Sequence, residues 1–167
     1  MIIWIIYIAF SFFLDGIMSI YVNTNILSPS YFRTIFTIIA FTIAIDYFDN
    51  QKKYLYLLLI FGFLFDIVYT NTFLLNIVIF LIIYLFLKII DNIIPNNLFM
   101  INLKAIISIH IYYIFTYLML MFADTYYPAK LLGLILIRSI IATIIYTTIS
   151  YITFKKIYKN KYDKYIK

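Results

Sequence analysis

Six apolar stretches, each separated from the next by a short polar break, run the length of the chain. They are Ile2–Val22, Tyr31–Tyr47, Tyr54–Tyr69, Thr72–Ile90, Lys104–Phe122 and Ala129–Phe154. A helix rises about 1.5 Å per residue, so roughly 20 apolar residues cross a hydrocarbon core of about 30 Å. All six qualify or come close. Each break has its own chemistry. Asn23 to Ser30 carries Ser28 and Pro29, suited to ending one helix and starting the next. Asp46 to Lys53 is a polar turn, Asp91 to Asn97 holds Pro95, and Ala123 to Lys130 holds Pro128. Tyr69 to Thr72 is the weakest break and predicts a very tight hairpin.

Breaks this short make neighbouring helices antiparallel. The expected fold is therefore all-α: one polytopic bundle of about six transmembrane helices over residues 1–167, with 154–167 as a basic cytoplasmic tail. Cytoplasmic loops retain Lys and Arg. With six spans and an inside N-terminus, the inside set is Lys52, Lys53, Lys88, Lys104 and the tail cations Lys155, Lys156, Lys159, Lys161, Lys164 and Lys167. Ten cations then lie inside, Arg33 and Lys130 lie outside, and Arg138 falls within a span. Both ends are expected in the cytoplasm. The first helix is expected to be a retained anchor and not a signal peptide. It has no basic residue before Arg33, it contains Asp15, and it lacks a small-residue cleavage site.

Composition sharpens this picture. Of 167 residues 66% are hydrophobic and 12% charged, too little polar surface for a soluble domain of this size. Cysteine is absent, which removes disulfides and thiolate chemistry. The acids are seven aspartates with no glutamate. Abundant Ile, Lys, Asn and Tyr point to an AT-rich genome, so no single Asn or Lys carries meaning alone.

Charges at membrane depth are costly and need partners. Asp15, Asp66 and Arg138 are calculated to meet at similar depth in the outer half of the bilayer, the two acids roughly 18–20 Å from the inner face. The sequence therefore predicts a buried ion pair between Arg138 and Asp66 or Asp15, with the second acid protonated or reaching Arg33. Such a pair either staples helices or forms a docking feature or gate. His110 is placed near the cytoplasmic end of its helix and is expected to hydrogen-bond to a neighbouring helix. Ala40 and Ala44 form a small-xxx-small pair that would allow close helix approach. The tail reads as a solvated topology signal, as a contact for a cytoplasmic partner, or as a helix lying on an anionic leaflet. In the last case Phe154, Tyr158, Tyr162 and Tyr165 form its apolar stripe.

No catalytic constellation emerges, and no cofactor is expected. One His and no Cys do not make a metal site. Three glycines at Gly16, Gly62 and Gly133 do not make a phosphate loop. Ser108 and His110 are two residues apart and face different ways on a helix. An aspartyl protease using Asp15 and Asp66 would need two carboxylates sharing one proton. The chain departs from both known intramembrane forms. The lipoprotein signal peptidases have four spans and an Asn three residues before one aspartate, where Phe63 stands here. The Gly-x-Gly-Asp of the other class is missing.

The segment Gly62-Phe63-Leu64-Phe65-Asp66-Ile67-Val68-Tyr69-Thr70 resembles the most recognisable stretch of the rod shape-determining MreD family. In that family a G-x-x-x-D closes one helix, a short turn follows, and an aliphatic helix begins at once. Here that helix runs Leu74 to Ile90, with Tyr84 and Lys88 near its end. Chain length, six spans, the basic tail and Arg138 early in the last helix extend the resemblance. Leu74 stands where the family often has Gly shortly after the turn. Ala142 and Tyr146 stand where a Pro and an Asn are common. The resemblance implies a non-enzymatic role in cell-wall elongation at the cytoplasmic membrane. Implied partners are an MreC-like protein, a RodA-like glycosyltransferase, a class B penicillin-binding protein and an MreB-like cytoskeleton, with no nucleic acid. The alternative is the substrate-binding subunit of an energy-coupling-factor vitamin transporter. That subunit is also six-helical but usually carries an Ala-x-x-x-Ala pair in its first helix, where this chain has only Ala9.

Overall fold

The computed structural model describes residues 2–21, 34–48, 50–70, 72–91, 97–122 and 128–165, with side chains described up to 157. Among these residues there are six α-helices and no strand: α1 (Ile2–Tyr21), α2 (Phe36–Ala44), α3 (Gln51–Phe65), α4 (Leu75–Asp91), α5 (Leu98–Phe122) and α6 (Ala129–Tyr165). A 3₁₀ turn, Ile45–Tyr47, prolongs α2, and a wide π-type turn, Asp66–Thr70, prolongs α3.

Four helical segments are long and apolar enough to cross a membrane: Ile2–Tyr21, Gln51–Thr70, Leu98–Phe122 and Ala129–Ile157. They mark the chain as a membrane protein. The expectation of six spans narrows here. The α2 helix has only nine residues and α4 has 17, because each begins inside the bundle at a carboxylate from the preceding helix. Arg33, the breaks at 23–30 and 123–127, and the side chains of Lys159, Lys161 and Lys164 lie outside the described residues.

All nine residues of α2 are buried. Around it the other five helices close a ring. Phe12 of α1 packs on Phe61 and Phe65 of α3. Tyr112 of α5 hydrogen-bonds Asn76 of α4. Asn102 of α5 meets Thr148 of α6, and Trp4 of α1 stacks on Phe154 of α6. The small-xxx-small pair lies at the centre, since Ala40 and Ala44 are fully buried.

The outer surface is apolar. Ile2, Ile6, Phe10, Phe13 and Ile17 project from α1, and Ile137, Ile141, Ile145, Ile149 and Ile152 from α6. In water such stripes would be a large penalty; here they face lipid. The basic end of α6 continues as helix to Tyr165. Of its expected apolar stripe, Phe154 is held in the bundle against Trp4 and Tyr7. Lys155 lies 5.6 Å from the Tyr151 ring, and Lys156 is exposed.

Candidate functional site

Two aspartates do the same job in two hairpins. Ile35, which precedes α2, has no polar side chain to cap the helix. Asp15 reaches over from α1 instead. Its Oδ1 accepts from the Phe36 N–H at 2.8 Å, and its Oδ2 from the Thr37 N–H at 2.9 Å and the Thr37 hydroxyl at 2.6 Å. The N-terminus of α4 is treated alike by Asp66, which closes α3. Its Oδ1 accepts from the Asn76 N–H at 3.0 Å and the Asn76 side-chain amide at 2.9 Å, and its Oδ2 from the Ile77 N–H at 3.4 Å. Thr72 adds a hydroxyl to Oδ1 at 2.5 Å. A helix N-terminus presents unpaired N–H groups and about half a positive charge. In lipid those donors have no water to turn to.

For Asp66 this revises the expected ion pair with Arg138. Asp66, only 1% exposed, takes its donors from Thr72, Asn76 and Ile77, and Arg138 is not among them. Asp66 is buried, as an acid within a span must be, but the positive end of a neighbouring helix meets its demand for a partner. Arg138 is half-buried on α6 beside the fully buried Ser139.

Glycines set the approach of the hairpins. A Cβ on Gly62 would stand 3.1 Å from the Ile77 Cα, so Gly62 lets α3 lie against the backbone of α4 where Asp66 caps it. A Cβ on Gly16 would meet the Tyr69 hydroxyl at 2.7 Å. That hydroxyl donates to the Phe12 carbonyl at 2.6 Å and ties the end of α3 to α1. At residue 74 the backbone enters the left-handed region, with φ 62° for Leu74.

The sequence did not single out Asn76, Thr72 or Tyr112. Asn76 is fully buried and links three helices: its amide donates to Asp66 and to the Thr70 hydroxyl, and its carbonyl accepts from Tyr112 of α5 at 2.9 Å. The one available signal was a lone amide in the first turn of an otherwise aliphatic helix. Hydroxyl pairs tie other helices together. Ser11 meets Tyr146 at 2.7 Å across α1 and α6, and Thr42 reaches Ser108 across α2 and α5.

A second polar cluster lies at the opposite end of the bundle. Lys104, 1% exposed, forms ion pairs with Asp91 at the end of α4 and with Asp46 in the turn after α2, the latter at 3.8 Å. The charge count had assigned Lys104 to an inside loop. Because α5 begins at Leu98, Lys104 is instead nearly two turns into the helix and faces the core. No family model, no curated protein and no solved structure matches the chain.

Proposed function

We propose that the chain is a non-catalytic component of the cell-wall elongation machinery, resembling MreD, in the cytoplasmic membrane with both ends inside. The reading rests on the Gly62–Ile77 hairpin. Three positions of the family pattern each have a structural use there. Gly62 gives α3 room against α4, Asp66 caps α4, and the position after the turn adopts a backbone conformation that favours glycine, although Leu74 occupies it. The pattern is thus a recipe for one tight, capped helical hairpin at membrane depth. The family is expected to dock with an MreC-like protein, a RodA-like glycosyltransferase, a class B penicillin-binding protein and an MreB-like filament. This chain would meet them through helix faces and its basic end.

Depletion in the source cell is expected to turn rod-like or helical cells round or swollen, and pull-down from membranes to recover an MreC-like protein. A cysteine at position 160 should react with a membrane-impermeant label only after the cells are opened. Unchanged shape on depletion, with a vitamin released from the purified protein, would replace this reading with the transporter subunit.

A further inference from the structure

We infer that the seam between α1 and α6 is a water-binding site, in which the hydroxyls of Tyr7, Tyr146 and Ser150 hold one buried water molecule. The two helices carry the same spacing, Tyr7-x-x-x-Ser11 and Tyr146-x-x-x-Ser150. Residues four apart lie on one face of a helix. The helices run antiparallel, since Trp4 stacks on Phe154 while Ser11 meets Tyr146. That register sets each tyrosine level with the serine of the other helix, Ser11 with Tyr146 and Tyr7 with Ser150. Four hydroxyls thus make a ladder of two rungs.

The first rung is closed directly. The Ser11 hydroxyl donates to the Tyr7 carbonyl at 2.8 Å, so its oxygen accepts the Tyr146 proton at 2.7 Å. The Tyr146 oxygen keeps a lone pair for a further donor. The second rung is not closed. The Tyr7 hydroxyl is buried beside the hydroxyls of Ser150, Tyr146 and Ser11 and makes a hydrogen bond with none of them. A buried hydroxyl without a partner is unfavourable, and lipid offers it none. A buried water makes roughly two to four hydrogen bonds, and Tyr7, Ser150 and the Tyr146 oxygen supply three partners.

The surroundings select the ligand. Ser11 is fully buried and Ser150 is buried. Toward the end of the bundle that holds Ile2, Trp4 stacks on Phe154 at 4.2 Å and on Tyr47 at 5.0 Å, and Phe154 meets the Tyr7 ring at 4.7 Å. Phe36 of α2 packs on the Tyr146 ring at 4.6 Å. These rings leave no way in for a lipid headgroup. The four hydroxyls are neutral, so an ion would meet no opposite charge among them. Water is small, neutral, and both donor and acceptor. The inference stands on α1 and α6 and does not require the wall-elongation reading.

Magnetisation transfer from water in solid-state NMR of the full-length protein in bilayers tests it. Transfer is expected at the Tyr7 ring and not at Tyr54, whose hydroxyl is spent on the Phe41 carbonyl. Tyr7→Phe gives a second test, because it removes one oxygen and keeps the ring. With the water bound, the folding equilibrium constant should fall roughly 3- to 15-fold, as for hydrogen bonds between membrane helices. Without the water, the same change removes an unpaired buried hydroxyl, and stability should hold or rise. The two cases differ in sign. Ser150→Ala should also lose stability, and the double variant should lose less than the two single losses combined, because both remove one bridge. SDS titration in mixed detergent reads all three variants. The NMR measurement uses the parent protein and decides the matter even where a variant fails to accumulate. No transfer at Tyr7, a Tyr7→Phe protein at least as stable as the parent, or losses that simply add would each overturn the inference.

Discussion

Replacing Asp66 with leucine is expected to destabilise the bundle by about 3 kcal/mol or more, because two buried N–H groups of α4 are orphaned at roughly 1–3 kcal/mol each. Leucine fills similar space, so the loss would report polar chemistry and not a cavity. The Asn76 amide and the Thr72 hydroxyl lose a partner at the same time. Asp66→Asn should fall between, since one oxygen still accepts while the new amide turns a donor toward a donor. Leu74→Gly should move the other way or stay level. It removes left-handed strain of roughly 1–2 kcal/mol and gives part of that back in chain entropy. Unfolding of the purified protein in mixed detergent, titrated with SDS, would measure all three. An Asp66→Leu protein within about 0.5 kcal/mol of the parent would show that this cap does not hold α4.

Helical runs and residue type were legible along the chain, whereas the partner of a buried group was not. Apolar runs of helical length located all six helices, since period and length are local properties. The lengths of α2 and α4 were not, because each starts where a carboxylate from another helix takes up its first N–H groups. Nothing in the run Tyr31 to Tyr47 says that a carboxylate from another helix takes up N–H groups at Phe36 and Thr37.

Asp15 and Asp66 stood out because an acid in a span must be compensated. For Asp66, the inference that the compensation is a side-chain cation assumed that positive charge comes only from Lys and Arg. A helix terminus supplies it as well. The resemblance carried by Gly62 and Asp66 contained the correction in disguise. A glycine one turn before an aspartate, followed at once by a new helix, describes a carboxylate brought close to that helix's first N–H groups.

Lys104 was misplaced for the opposite reason. A lysine near the start of a predicted span is ordinarily a solvated topology signal. Asp46 and Asp91 likewise read as turn residues. Only the fold brings the turn after α2, the end of α4 and the second turn of α5 together, joining residues 45 and 58 positions apart. Each charge was visible, but their meeting was not.

The Lys104 cluster makes the last prediction, and the sign of the effect should depend on how many of its members are removed. Lys104→Leu takes the cation from beside two carboxylates while Asp46 stays almost fully buried. Breaking a buried pair from one side costs about 3–5 kcal/mol, mostly through the charge left behind. Removing Lys104, Asp46 and Asp91 together, as Leu, Asn and Asn, should cost much less, because no net charge is stranded and the amides still hydrogen-bond. An exposed surface pair behaves differently: either substitution alone would cost no more than about 1 kcal/mol, and added salt would shrink even that. SDS titration of the single and triple variants, at low and high salt, separates the two cases. A Lys104→Leu protein as stable as the parent, or a triple variant weaker than the single, would show that the cluster does not tie α2, α4 and α5 at this end of the bundle.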